Sequence, residues 1–127
     1  MVDDDGTAPI RVLIAEDDAR VRSALRAFLG AHPHLEVVAE ASGASAALAL
    51  AREHAPAVAV VDVYLPGKDD GLELLRILSG QLGIPVVAIS IEGSARESAL
   101  DAGAVRFLEK TNVPDRLLEA LELSGGR

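Results

Sequence analysis

Short apolar runs that end on a charged or polar residue alternate along this chain with segments of helical spacing. The most telling run is residues 57–61, Ala-Val-Ala-Val-Val. It has no polar alternation, as expected of a parallel strand covered on both faces. It ends on Asp62, and Pro66-Gly67 with Asp69-Asp70-Gly71 then predict a loop. Residues 10–15 read as a second such strand, ending on Glu16, Asp17 and Asp18. Residues 35–39 predict a shorter strand whose Glu36 and Glu40 suit a sheet edge. Residues 84–89 carry Pro85 at the start, where a missing donor is tolerated, and end on Ser90. Residues 105–108 form the last run, leading to Lys110.

The intervening segments read as helices. From Asp18 to Gly30, Val21, Ala24, Leu25, Phe28 and Leu29 recur at three- and four-residue spacing, with Arg20, Arg22 and Arg26 largely off that stripe. Gly30 predicts the stop, and His32 and His34 in the loop that follows are read as solvent-exposed. Ser42-Gly43 opens an alanine-rich helix to about residue 54, with Ala47, Leu48 and Ala51 inward. Residues 72–78 predict a short helix ended by Ser79-Gly80. Ser94 and Glu97 suggest a capping box for a helix over 95–102, whose small alanines predict weak packing. Asn112 is read as the cap of a final helix with Val113, Leu117, Leu118 and Leu121 inward.

Five strands alternating with five helices predict an α/β fold, a doubly wound five-stranded parallel sheet with helices on both faces. Right-handed crossovers leave few topologies, among them the flavodoxin-like strand order 2-1-3-4-5. In that order strands one and three are neighbours, and Glu16, Asp17 and Asp62 meet in one crevice.

The chain of 127 residues is expected to form one domain over residues 10–123, with an acidic disordered lead-in at 1–9 and a tail or linker start at 124–127. A net charge of -8 argues against this domain gripping a nucleic-acid backbone and favours cations and basic partners. Three consecutive Asp near the start, where a signal peptide needs positive charge, and no apolar run of membrane-spanning length predict a soluble protein. The lack of cysteine excludes disulfides and thiolate metal sites and suits a cytoplasmic location. Three clustered carboxylates would repel and raise one another's pKa values, so the crevice calls for a hard divalent cation.

Taken singly, Glu16 and Asp17 could be ordinary first-turn helix acids, Asp62 and Ser90 turn residues, Lys110 a solvated lysine and Phe107 plain core. In order, however, Ile14-Ala15-Glu16-Asp17, Asp62 with Pro66-Gly67 four residues on, Ser90, and Phe107 before Glu109-Lys110 resemble the receiver domain of two-component response regulators. That resemblance implies a phosphoacceptor rather than an enzyme acting on another substrate. Its nucleophile would be Asp62, taking a phosphoryl group from a phosphohistidine of a sensor histidine kinase or phosphotransfer protein. It implies Mg²⁺ (or Mn²⁺) held by Asp17 and Asp62, by Glu16 through water, and by the backbone carbonyl of Tyr64. Lys110 and Ser90 would contact the phosphate, and Phe107 would turn inward.

The switched face would be that of the fourth helix, fifth strand and fifth helix, open to partner binding, homodimerisation or an output domain such as a DNA-binding one. The kinase would dock near the first helix and its arginines. Departures from the family pattern are also legible. Ile91 stands where a small residue is usual and is expected to narrow access to Asp62, while Tyr64 and Glu92 are expected to shield an acyl phosphate from water. Thr111 follows Lys110 where proline and a cis bond are usual, so either the site supports a costly cis bond or the bond is trans and Lys110 sits differently.

The alternative is a phosphorylation-independent interaction module of the same fold. A flavodoxin or nucleotide enzyme is disfavoured by acids where a phosphate loop would stand and by the lack of a Gly-x-Gly-x-x-Gly or P-loop motif.

Overall fold

The computed structural model describes residues 8–65 and 70–125. Five parallel strands, β1 (Ile10–Ala15), β2 (Leu35–Ala41), β3 (Val58–Asp62), β4 (Val86–Ser90) and β5 (Arg106–Glu109), lie in the order β2-β1-β3-β4-β5. The expected topology is therefore the one formed. Helices α1 (Ala19–Gly30), α2 (Ala44–His54), α3 (Asp70–Arg76), α4 (Arg96–Asp101) and α5 (Val113–Gly125) alternate with the strands. None of these helices is long and apolar enough to cross a membrane among the described residues.

Successive strand residues point to opposite faces, which explains why the apolar runs lack polar alternation. Leu13, Ala15, Ala59, Val61, Val86 and Ala88 pack with Ala47 and Ala51 of α2, Leu74 and Leu75 of α3 and Ala99 of α4. Val12, Ile14, Val58, Val60, Val87 and Ile89 pack instead with Leu25 and Leu29 of α1 and Leu117 and Leu121 of α5. Full burial of a leucine such as Leu117 contributes about 1.5–3 kcal/mol. Ala24, on the expected stripe of α1, is exposed and lines a cleft together with Val21, Leu25, Phe28 and Val113.

Several boundaries differ from the sequence expectation, each for a local reason. The register of β1 with β2 slips between Val12 and Leu13, which pair with Val37 and Ala39, so β2 takes in an extra residue and continues to Ala41. The Ala41 carbonyl then accepts a hydrogen bond from the Glu16 N–H at 3.0 Å, which ties the end of β2 to the acidic loop. The helix α3 does not stop at Ser79-Gly80 but runs on as a π turn over Ile77–Gln81, with Leu78 fully buried. Ser79 Oγ donates to the Gly103 carbonyl at 3.1 Å, giving that turn a tertiary anchor.

The capping box at Ser94 and Glu97 does not form. Gly93–Ala95 is a 3₁₀ turn, and α4 begins one residue later than expected, at Arg96, with Ala95 at its N-cap and no side-chain cap bond. A second 3₁₀ turn, Lys110–Asn112, leads into α5, which continues to Gly125 instead of fraying at residue 124. A Cβ on Gly125 would lie 2.9 Å from Ile10 Cγ2 and 3.0 Å from Val58 Cγ1, so this end of the helix is pressed against the sheet. The expected Pro66-Gly67 turn, the acid at Asp69 and the lead-in through residue 7 lie outside the described residues.

Of the two loop histidines, His32 is half-buried, while the side chain of His34 stays more open to solvent, as expected. His32 Nδ1 lies 2.9 Å from the Phe28 carbonyl, and His34 Nε2 lies 2.5 Å from Glu122 Oε2. At the end of α2, Ala55 adopts a left-handed conformation with φ of 47°. Arg11 Nη1 secures that strained cap by donating to the His54 and Ala55 carbonyls at 2.6 and 3.0 Å.

Gly71, in the first turn of α3, has the tightest surroundings of the described glycines. A Cβ there would lie 2.0 Å from the Val63 carbonyl oxygen. Gly71→Ala is expected to cost about 1–3 kcal/mol, read as a lower urea midpoint at unchanged slope. An unchanged midpoint would show that the β3–α3 connection yields freely.

Candidate functional site

β1 and β3 are hydrogen-bonded neighbours with Ala15 opposite Val61, so the residues that follow, Glu16 and Asp62, emerge side by side at the carboxyl edge of the sheet. Asp17 comes next on the same loop. One carboxylate oxygen from each of Glu16, Asp17 and Asp62 lies within 4.8 Å of the others. Glu16 is fully buried and Asp62 is 4% exposed, while Asp17 faces solvent. The topological switch point thus gathers the three acids picked out in the sequence.

Polar contacts fix these groups in place. The Tyr64 N–H donates to Asp62 Oδ1 at 3.0 Å, and Lys110 Nζ donates to Asp62 Oδ2 at 3.1 Å. The same ammonium stands 2.9 Å from Glu16 Oε1. The Asp18 N–H donates to Glu16 Oε2 at 3.0 Å, and Asp18 in turn caps α1 through the N–H groups of Arg20 and Val21.

Burial pushes the Glu16 carboxyl above its ordinary pKa, and the neighbouring Asp62 charge adds to that, against the opposing contacts with Lys110 and the Asp18 N–H. Burial also works against the Lys110 ammonium, but contact with Glu16 and the charges of Asp62 and Glu16 outweigh it and hold Lys110 above its ordinary value. Glu16 Oε1 nevertheless has no aligned hydrogen-bond partner despite being buried. A buried carboxylate oxygen with no aligned donor, in a cluster of three carboxylates faced among the described residues by one ammonium, fits a hard divalent cation with oxygen ligands.

The remaining candidates surround Asp62 unequally. Ser90 ends β4 fully buried, next to the Asp62 strand, and its Oγ accepts the Glu92 N–H at 3.1 Å. Tyr64 is 49% exposed, and its hydroxyl donates to Glu92 Oε1 at 3.4 Å, so the two side chains meet across the mouth of the crevice. Ile91 stands 70% exposed on that rim. Phe107 is buried among the residues packed under α3 and α4. The described residues contain no cis peptide bond, so Lys110–Thr111 is trans, and the ammonium still reaches both acids.

Arg22 is a site residue that sequence reasoning missed. Its Nη1 donates to the Glu16 carbonyl at 2.8 Å, and its Nε stands 3.9 Å from Glu40 Oε1, so it braces the acidic loop against β2. The only signal in the sequence is its place one helical turn past Asp18. Arg26 also pairs with Glu40, at 3.0 Å. Two of the three arginines expected to face a docking kinase are therefore engaged within the chain.

A family model described as the response regulator receiver domain matches residues 12–122. The chain belongs to that family. The receiver is 38% identical over 129 residues to a protein-glutamate methylesterase/protein-glutamine glutaminase of Anaeromyxobacter dehalogenans, covering 90% of this chain and 35% of that protein. It is 34% identical over 127 residues to the transcriptional regulatory protein PdtaR of Mycobacterium tuberculosis, covering 98% of this chain and 61% of that protein. The receiver thus spans only part of the length of these relatives. The signal receiver domain of a response regulator NarL from Mycobacterium tuberculosis superposes with a TM-score of 0.83 at 31% identity, covering 94% of this chain and 99% of that one.

If the acidic trio holds a divalent cation, Mg²⁺ should raise the Tm of the receiver. At about one hundred times Kd the gain is about 2.7 kcal/mol. Asp17→Asn should remove most of that rise. A Tm in wild type that is indifferent to Mg²⁺ would show that the cluster holds no cation.

Proposed function

We propose that the receiver is an aspartyl-phosphate switch in a two-component system. The observation that supports this reading is the setting of Asp62, which is nearly buried, held by the Tyr64 N–H and Lys110, and placed beside two further acids. A carboxylate oxygen of Asp62 attacks the phosphorus of a phosphohistidine on a sensor histidine kinase or phosphotransfer protein. The phosphorus–nitrogen bond breaks, and the imidazole nitrogen leaves with the bonding pair. Bound Mg²⁺, held by Asp17, Asp62, the Tyr64 carbonyl and, through water, Glu16, would offset negative charge on the phosphoryl oxygens. Lys110 does the same from the opposite side and needs only to transfer its contact from Asp62 to the incoming group. In this role the chain catalyses only its own phosphorylation and dephosphorylation, in a cytoplasmic setting.

A cleft of about 470 Å³ between α1 and α5 supports docking of the donor near the first helix. Its walls are Val21, Ala24, Leu25, Phe28, Ile89 and Val113, with Arg20 and Lys110 on its edge. An apolar helix of a donor laid there would place its phosphohistidine close to Lys110 and so to Asp62. Once Asp62 is phosphorylated, the Ser90 hydroxyl hydrogen-bonds the phosphate and draws in the loop before α4. Phe107 follows on the face of α4, β5 and α5, which a partner, a second copy or an output domain then reads.

Intact mass after incubation with Mg²⁺ and acetyl phosphate tests this reading, with Asp62→Asn as control. A phosphoryl adduct in wild type alone is the expected result. No adduct, together with failure of beryllofluoride to bind at Asp62, would leave a phosphorylation-independent interaction module.

The contact between Tyr64 and Glu92 gives a second expectation for the same species. Closing the mouth should slow attack by water on the acyl phosphate, with Ile91 narrowing it further. Tyr64→Ala should hydrolyse its phosphate about tenfold faster than wild type, an effect of about 1.4 kcal/mol on the barrier. Equal lifetimes would assign Tyr64 no shielding role.

A further inference from the structure

Asp17 is the exposed member of the acidic trio, and among the described residues its carboxylate accepts no hydrogen bond and forms no ion pair. Glu16 and Asp62, by contrast, are each held by a backbone N–H and by Lys110. Only the backbone on either side of Asp17 therefore aims its side chain.

That backbone is gripped from two directions. The Glu16 N–H donates to the Ala41 carbonyl of β2 at 3.0 Å. On its other side, Arg22 Nη1 donates to the Glu16 carbonyl at 2.8 Å and stands 3.5 Å from the Asp17 carbonyl. The Glu16 carbonyl belongs to the planar peptide unit from which Asp17 extends, so a grip on its oxygen fixes the direction in which Asp17 leaves the loop. Arg22 reaches it from the first turn of α1, where helical side chains lean toward the N-terminus.

The guanidinium is 24% exposed, and its second contact, to Glu40 at 3.9 Å, is a long and partly solvated ion pair of little strength. Arg26 already holds the other oxygen of Glu40 at 3.0 Å. The short, charge-assisted bond to the Glu16 carbonyl is the stronger tie, so the loop is the main partner of Arg22.

Arg22 has two opposing effects on a cation beside the three acids. Its positive charge repels the cation, and its hydrogen bond holds one of the ligands in place. Water and salt screen the first effect. The second is the larger, because loss of a group that orients a metal ligand weakens binding by about 10- to 100-fold.

We propose that Arg22 is a positioning residue for the cation site, gripping the peptide between Glu16 and Asp17 and thereby setting the affinity of the acidic trio for Mg²⁺. The inference rests on the reading of Glu16, Asp17 and Asp62 as a cation site and adds a residue outside the ligand set that tunes it.

The test titrates the whole ¹⁵N-labelled chain with Mg²⁺ and follows the amides of Asp18 and Tyr64, whose N–H groups donate to Glu16 and Asp62. Arg22→Met keeps the aliphatic stem and loses the guanidinium, and Arg22→Ala removes both. Arg26→Ala removes an equal charge one helical turn further on without touching the loop. The Tm of each variant in EDTA reports the fold separately. Both Arg22 variants should bind Mg²⁺ about tenfold more weakly than wild type, although each has lost a charge that repels the cation. Arg26→Ala should bind at least as tightly as wild type.

Mg²⁺ affinity that is unchanged or tighter in the Arg22 variants, with wild type still binding, would overturn the inference and leave the cation site standing. A lower Tm in EDTA with an unchanged Kd would reduce Arg22 to a purely structural role and overturn it too. Equal weakening by Arg26→Ala would trace the effect to a loosened α1, with the same consequence. Amides of Asp18 and Tyr64 that ignore Mg²⁺ in wild type would overturn the cation site and this inference together.

Discussion

The position of one ammonium group governs the arrangement of this molecule. Lys110 stands between Glu16 and Asp62, both almost sealed from water, and among the described residues provides the one positive charge in contact with either. Two buried carboxylates that close would otherwise repel, and one would have to take up a proton. The compensation is incomplete, because Asp17 adds a third negative group and Glu16 Oε1 is left without an aligned donor. The site is therefore held together but is short of positive charge, the condition that favours a cation beside the three acids.

The sheet makes that arrangement possible by being rigid on both faces. Every residue of β3 and β4 is buried, and the two sets of alternating side chains belong to separate cores. Asp62 and Ser90 terminate those strands, so their backbone positions are set by packing rather than by the polar groups around them. Helix α4 is the contrast. It has six residues, no side-chain cap and mostly alanine in contact with the sheet, so little holds it in one position.

The fold was legible in the sequence because its strongest signals are local. The runs of Val, Ile and Ala, and the turn residues after them, needed no tertiary information to place β1, β3 and β4 within two residues. The acidic trio was legible for a related reason, since strand order and the ends of two runs suffice to bring Glu16, Asp17 and Asp62 together. What stayed hidden depends on contacts across the fold. The slip at Val38 reflects pairing with β1, and the π turn after α3 reflects the anchor from Ser79 to Gly103. The lost capping box reflects the 3₁₀ turn over Gly93–Ala95, which takes up the residues expected to cap α4. Arg22 looked like a surface arginine because its hydrogen bonds go to backbone carbonyls, which carry no sequence mark, and its other partner, Glu40, lies on a different strand.

The two ends of α5 are held very differently. At the far edge of the sheet its last turn presses on Ile10 and Val58, and Glu122 meets His34 from the loop after α1. At the near edge it begins directly after Lys110 and the short 3₁₀ turn, beside the acids. The helix is therefore fixed where its last turn meets the start of β1 and β3, and its other end follows by one short turn the lysine that contacts both acids.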